Sequence, residues 1–392
     1  MIYLDNAATT EMDAEVARIG HETEKMYGNA HALYWEGEKA RLAIEDARRR
    51  IANEIDANIG DVYFTSGATE GNNWCIAGAV RAWWREHLNA RRFSAEIPHI
   101  ITGLTEHHSV LNVCRALEDE GLCEVTYLPP DENGAVRTED VVRALKENTL
   151  LVSLMYINNE TGVANPVREI GKELLARGRS ALFHVDATQA LGKLRVDVYD
   201  IYCDMLTGSG HKFHAGKGRG LTYIRTGVKV ANLMEGGAQQ LGRRPGTEDT
   251  VGAVCLAEAL KREREYCMNG GILKKAKKVF DFARGFPDCA INGTPVLSSG
   301  IISVGFKGVE SEALLAMLEG KGVICSGGSA CTAGTAESSH VLEAMRVPEE
   351  YLKGTIRISI GAKNTDEEIT EAGRIIRESV ETLREMGGDG WK

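Results

Sequence analysis

No apolar run in this 392-residue chain approaches the roughly 20 residues needed to cross a bilayer. The opening Met1-Ile2-Tyr3-Leu4-Asp5 has neither the basic region nor the apolar core of a secretory signal. These absences lead us to expect a cytoplasmic protein with no membrane partner. Positive charge is not in excess either: 46 Lys and Arg face 56 Asp and Glu, a formal net charge of −10. Bulk attraction to nucleic acid is therefore not expected. C-x-x-C does not occur, and the nine cysteines are odd in number and scattered. That pattern argues against a disulfide framework or a zinc site, and most of these thiols read as small buried hydrophobes. Internal repeats, low-complexity tracts and long flexible linkers are missing as well.

What is present suits a compact soluble protein: 43% hydrophobic residues and 43 glycines, in a length that favours two domains. Short apolar runs at Asp61–Thr65, His99–Thr102, Glu124–Leu128, Leu150–Ile157, Ala181–Val185, Met205–Thr207 and Leu221–Ile224 alternate with helical patterns such as Thr138–Lys146 and Val167–Arg177. The alternation predicts an α/β fold around a parallel sheet covered on both faces, with functional loops at the carboxyl ends of its strands. From about residue 258 the texture changes to charged helices, with weaker strands at Gly300–Phe306 and Thr355–Ser359. This predicts a smaller α+β domain.

The chemistry-bearing residues cluster after the predicted strands. Lys212, in Ser209-Gly210-His211-Lys212, follows an Asp186 that closes the apolar run Ala181–Val185. A Lys amine and a carboxylate are what pyridoxal phosphate needs, one for a Schiff base and one to keep its ring nitrogen protonated. Asp186 reads equally as a helix N-cap. Ser66-Gly67-Ala68-Thr69 opens a helix and is either a phosphate cup or an ordinary capped start. In Thr105-Glu106-His107-His108, one His at a strand end could stack on a ring and shuttle protons, but adjacency does not say which. Asn158–Gly162 is a turn or a site loop. Cys325-Ser326-Gly327-Gly328-Ser329-Ala330-Cys331-Thr332 lacks bulky anchors and is expected to be a mobile, exposed loop. An accessible thiol there suits a sulfur acceptor, and a surface loop with two incidental thiols is the plain alternative.

In their order along the chain these motifs resemble the cysteine desulfurases, pyridoxal-phosphate enzymes of the class V aminotransferase fold. Tyr3–Thr10, Gly67–Glu70, Glu106–His108, Asn158–Gly162, His184–Gly192, Ser209–Lys217, Arg244–Glu248, Ser329–Thr332 and Ile356–Ser359 carry the likeness across nearly the whole chain. The long loop with Ser-Ala-Cys-Thr is similar to that of the iron–sulfur-assembly branch. The resemblance implies fold type I of the pyridoxal-phosphate-dependent transferases. It implies a large domain over 15–257 with a mostly parallel seven-stranded sheet, and a small domain from 1–14 and 258–392 carrying a Cys loop at about 322–338.

It further implies that Lys212 forms the Schiff base, Asp186 pairs with the ring nitrogen, and His107 stacks over the ring and moves protons. Gln189 and Asn159 would face the phenolic oxygen or the substrate, and Ala68, Thr69, Ser209 and His211 would hold the phosphate. Thr247 would reach the cofactor phosphate of a neighbouring subunit in a homodimer. Arg357 would clamp the carboxylate of L-cysteine. Cys331 would take the sulfur as a persulfide, leaving alanine, and pass it to an iron–sulfur scaffold or another acceptor protein. No stable metal site is expected, with Cys331 at most a transient cluster ligand.

A selenocysteine lyase, or a cofactor-binding scaffold without turnover, would share much of this pattern. Three departures stand out: Asn29-Ala30-His31-Ala32 where the family has Asn-Pro-Ser-Ser, Ala215-Gly216 in place of a Pro-containing pair, and a longer Arg81–Phe93. Loss of the Pro should loosen the turn after Lys212. The Trp83, Trp84, Arg85, Arg91 and Arg92 of the long segment read either as a partner surface or as a helix that buries its Trp and solvates its Arg.

Overall fold

The computed structural model describes residues 1–89, 97–179, 181–327 and 339–387. Among these residues, thirteen strands fall into three sheets. β1 (Ile2–Tyr3) pairs in parallel with β11 (Val323–Ile324). Seven strands form the large sheet: β2 (Val62–Thr65), β3 (His99–Gly103), β4 (Glu124–Leu128), β5 (Thr149–Met155), β6 (Leu182–Asp186), β7 (Met205–Ser209) and β8 (Gly220–Ile224). Their spatial order is β2-β8-β7-β6-β5-β3-β4. All neighbours are parallel except at β8, which runs antiparallel to both β2 and β7. The sheet is thus mostly parallel, as expected, with β8 the reversed strand. The Gly210–Arg219 connection is too short for the dozen or more residues that a parallel crossover requires.

Period-two geometry explains how one sheet feeds two cores. Ile101 and Val152 point into a core with the helices Trp35–Glu54 and Thr250–Met268, while the adjacent Ile100 and Leu151 point into another built on Trp74, Ile76, Val110 and Cys114. A strand buried on both faces reads as an unbroken apolar run, as in Leu150–Met155.

β9 (Cys289–Ile291), β10 (Ile301–Phe306), β12 (Ser326–Gly327) and β13 (Thr355–Ser359) form an antiparallel sheet in the order β12-β13-β10-β9. Its core joins Ile302, Val304, Ile356 and Ile358 to Ile369, Ile376 and Val380 of the Asp366–Gly387 helix, and to Leu4. Asp5 bridges to Ser359, so the N-terminal segment runs from this sheet toward the large one. The change of texture near 258 lies inside the unbroken Thr250–Met268 helix.

Trp83 and Trp84 lie half-buried on the Ala68–Asn89 helix. Trp84 Nε1 donates to the Leu122 carbonyl at 2.9 Å, and the Trp83 ring stacks 3.6 Å from His87, while Arg85 is exposed. Of the two readings, these residues follow the packed helix. Arg91 and Arg92 lie outside the described residues. Eight described cysteines are free, five of them buried.

Candidate active site

The carboxyl ends of β2, β3, β5, β6 and β7 open into one cleft of about 590 Å³. Ala68 and Thr69 enter from the turn after β2, and His107 from the turn after β3. Asn159 follows β5, Asp186 and Gln189 come from the end of β6, and Ser209, His211 and Lys212 from the end of β7. Arg357 reaches in from β13 of the other sheet, and Ala7, Ala8 and Thr9 close the remaining side. Ten of the twelve residues expected at the site therefore share one cavity. Thr247 does not: it lines an adjoining hollow that shares Ser66 and Gly218 with the cleft. Cys331 lies outside the described residues.

Lys212 Nζ donates to the carbonyls of Ala7 at 2.7 Å and Ala8 at 2.8 Å. Asp186 is buried, and each of its carboxylate oxygens accepts one N–H. Thr188 N donates to Oδ1 at 2.9 Å and Asn72 Nδ2 to Oδ2 at 2.8 Å. The first bond closes a local turn; no helix starts at Asp186, so the N-cap alternative does not hold. The second comes from a residue that sequence reasoning passed over. Asn72 is fully buried, and its Nδ2 also donates to Ser109 Oγ at 2.8 Å while its Oδ1 accepts from Thr207 Oγ1 at 2.5 Å. Three and four residues after Thr69 and Ala68, it stands one helical turn along the same face, which is the signal that could have found it.

Ser109 continues the chain to His107, whose Nδ1 lies 2.8 Å from Ser109 Oγ and accepts the Ser109 backbone N–H at 3.1 Å. Burial, reinforced by the charge of Lys212 and opposed by Asp186, holds the His107 imidazole below its ordinary range. A neutral ring accepting at Nδ1 carries its proton on Nε2. The neighbouring His108 turns away and packs against His340, with ring centroids 4.6 Å apart, so the choice between the two histidines is settled by position. Burial, with Lys212 and Lys217 nearby, pushes His211 down to about 4.

The Ser66–Thr69 turn lies at the N-terminus of the 22-residue Ala68–Asn89 helix, where backbone N–H groups and the helix dipole favour an anion. Its shape depends on Gly220 of β8. A Cβ there would lie 2.5 Å from Gly67 Cα. Ser66 N donates to Glu70 Oε2 at 2.8 Å, and Glu70 is clasped by Arg244 through bonds of 2.8 and 3.1 Å.

Arg357 is only 2% exposed. It donates from Nη2 to Asp5 Oδ1 at 2.8 Å and from Nη1 to the Asn159 carbonyl at 2.9 Å. Asn159 thus meets Arg357 through its backbone. Arg357 Nε and Thr188 Oγ1, both buried and both on residues lining the cleft, have no hydrogen-bond partner among the described residues. A cavity that leaves such groups unsatisfied suits a polar ligand that completes them. The donors at the Ser66–Thr69 turn, the Lys212 amine and the Asp186 carboxylate form a set that fits a phosphate, a carbonyl and a pyridine nitrogen. Pyridoxal phosphate carries all three.

Comparison with known proteins agrees with this fit. The aminotransferase class-V family matches residues 2–371. The chain belongs to that family. Within it, a protein named cysteine desulfurase IscS from Methanosarcina thermophila is 38% identical over 390 residues, covering 98% of this chain and 93% of its own. Cysteine desulfurase 2 from Trichormus variabilis is 41% identical over 392 residues, covering 98% and 94%. Among solved structures, a NifS-like protein is 31% identical with a TM-score of 0.87, covering 97% of this chain and 99% of that one. A structure described as SspA in complex with cysteine is 31% identical with a TM-score of 0.78, covering 93% and 100%.

The departures from the family pattern have local consequences. Gly216 sits at φ +88°, a conformation closed to Pro, so this turn follows a path that the usual Pro would forbid. His31, in the altered early motif, lies with Nε2 3.1 Å from Glu248 Oε2, next in sequence to Thr247. Desolvation of the half-buried Cys325 thiol, with Asp5 nearby, pushes it up to about 12, which disfavours the reactive thiolate. Among the described residues no His, Cys, Asp and Glu cluster could hold a metal ion, and no helix is long and apolar enough to cross a membrane.

Proposed function

We propose that this class-V enzyme is a cysteine desulfurase: L-cysteine enters, L-alanine leaves, and the sulfur remains on Cys331 as a persulfide for an acceptor protein. One observation carries the reading. Lys212, Asp186, His107 and Arg357, from two different sheets, face one cleft. Lys212 and Asp186 would hold pyridoxal phosphate at its two ends of reactivity, with Ser209, His211, Ala68 and Thr69 around its phosphate and Gln189 beside its ring. Bound there, the cofactor supplies an electron sink for the carbanion formed at the substrate's Cα.

The chain's own groups do the rest. Arg357 takes the substrate carboxylate in a planar fork, for which its unsatisfied Nε is available. Lys212 Nζ, steered by the Ala7 and Ala8 carbonyls, moves the Cα proton. The neutral His107 is poised to exchange a proton with the substrate's sulfur at Nε2. The Cys331 thiolate attacks that sulfur, the C–S bond breaks, and a proton completes the methyl group of alanine. Cysteine plus thiol thus becomes alanine plus persulfide with atoms in balance.

A homodimer belongs to the proposal. Thr247 stands outside the cleft of its own chain, and Tyr27, Leu33, Trp35 and Leu241 are large apolar side chains exposed on this chain, which a second subunit would cover. The division into 15–257 and 1–14 with 258–392, the cytoplasmic location and an iron–sulfur scaffold as acceptor are parts of the same reading. Mass spectrometry after exposure to cysteine tests it. The Cys331 peptide should gain one sulfur, about 32 Da, in step with alanine release. Alanine without the adduct, or an adduct that survives Cys331→Ser, would sink the persulfide route.

A further inference from the structure

Behind the cleft lies a buried charged group that the proposed chemistry does not use. Lys193 is 7% exposed and follows Gly192, whose φ of +77° and missing side chain bring this turn against Glu263. A Cβ on Gly192 would lie 2.8 Å from Glu263 Cγ. Glu263 is itself 4% exposed, and its Oε2 is 3.6 Å from Nε2 of the buried His214. The charged or titratable groups around Lys193 are Glu263 and Cys267 from the Thr250–Met268 helix, His214 from the turn after Lys212, and Arg357 from β13. An interior ammonium costs several kcal/mol unless it is paired and hydrogen-bonded, so its retention calls for a task.

Its contacts point to one. Lys193 Nζ donates to Gln189 Oε1 at 3.2 Å, and Gln189 Nε2 donates to the Ala7 carbonyl at 3.0 Å. That same carbonyl accepts Lys212 Nζ at 2.7 Å. A carboxamide can usually turn over at little cost, but here both ends are fixed by chemistry. A protonated Lys193 offers only hydrogens and Ala7 only an acceptor, so the amide oxygen faces Lys193 and the N–H edge faces the Ala7 carbonyl on the cleft side.

We propose that Lys193 is a positioning residue. It locks Gln189 so that the cleft meets a hydrogen-bond donor rather than an acceptor, and a donor is what an anionic ring oxygen needs. The inference rests on reading the cleft as a pyridoxal-phosphate site. A donor at the phenolic oxygen stabilises its anion and weakens its hold on the neighbouring proton. Freed from Lys193, the amide can present its carbonyl instead, and that proton is held to higher pH. His107, Asp186, Lys212 and His211 also face this position and are left unchanged.

The test follows the visible absorbance of the holoenzyme, in the region of about 400–430 nm, against pH. Lys193→Met should raise the midpoint of the absorbance change by about one pH unit, the tenfold change expected from one hydrogen bond of about 1.4 kcal/mol. Gln189→Leu should give the same rise, and the double variant no more than either alone. Lys193→Arg should restore the wild-type midpoint. If Lys193→Met fails to fold because Glu263 loses a nearby positive charge, Lys193→Met with Glu263→Gln removes both charges and should show the same rise. A midpoint unmoved, or shifts that add in the double variant, overturns the proposal while leaving the cofactor site intact. A wild-type protein that takes up no cofactor overturns both.

Discussion

Substituting Gly220 by Ala is expected to cost cofactor affinity far more than stability. Gly220 is paired with Thr65 on one side and Ser209 on the other, the two strand ends from which the phosphate-binding turn and the Lys212 turn depart. An added Cβ would stand 2.5, 2.6 and 2.8 Å from Gly67 Cα, N and C, all backbone atoms that cannot rotate away. Restoring ordinary contact at 3.4 Å requires the turn or β8 to shift by about 0.9 Å. A sheet absorbs such overpacking for about 1–3 kcal/mol. Backbone donors to a phosphate tolerate much less, because hydrogen bonds at 2.7–3.2 Å are lost over that distance. Losing two charge-assisted bonds at roughly 1.5–3 kcal/mol each weakens binding by about 10²- to 10⁴-fold. Absorbance titration with pyridoxal phosphate measures the first quantity, and urea unfolding of cofactor-free protein measures the second. Gly60→Ala, with no atom within 4 Å of the new Cβ, is the control and should change neither by much. Wild-type affinity in Gly220→Ala would refute the idea that the close approach of β8 shapes the phosphate turn.

Three further outcomes are expected. Arg357→Lys keeps the charge but loses the planar fork, so KM for cysteine should rise about tenfold or more with a smaller change in kcat; a change confined to kcat would remove Arg357 from carboxylate binding. Asn72→Leu strips Asp186 of a buried donor and leaves Ser109 and Thr207 short of a partner, which should lower unfolding free energy by roughly 3 kcal/mol in urea titrations; a loss below about 1 kcal/mol would mean the bridge contributes little. Glu160 is pushed up to about 7 by burial, against the opposing effects of its bond from Ser339 and the charge of Arg357. Its raised value makes the wild type lose stability, relative to Glu160→Gln, as pH climbs from the unfolded value near 4.5 through 7, by up to about 3 kcal/mol. Urea midpoints of the two proteins at pH 5, 6, 7 and 8 check the sign, and parallel curves would refute it.

Legibility in the sequence divides along a physical line. Side chains that do chemistry announce themselves by type and by place. Asp186 closes an apolar run, Lys212 follows the next strand, and both stand where the loops of an α/β sheet gather, so spacing alone led to them. The direction of β8 was not readable from its Leu-Thr-Tyr-Ile, because an interior strand is apolar in either sense; the length of the Gly210–Arg219 connection was the better guide. Residue type did not separate His107 from His108; the family resemblance named His107, and its ring, with Nδ1 accepting the Ser109 N–H, is the one that lines the cleft.

Backbone groups are silent altogether. The carbonyls of Ala7 and Ala8 that receive Lys212, and that of Asn159 that receives Arg357, carry no signature in residue type. The residues that orient the reactive ones were missed for a related reason. Asn72 and Lys193 touch the chemistry through other side chains, chiefly Asp186 and Gln189, so their meaning depends on contacts 114 and 4 residues away in sequence. For Asn72 the helical period offers a route back to Thr69. For Lys193 none exists, since a Lys four residues beyond a Gln reads as a solvated charge until the fold buries it with its Nζ on Gln189. A sequence therefore declares the groups that react more readily than those that hold them still, and in this cleft the hydrogen-bond partners of Asp186 and Gln189 decide what the declared groups can do.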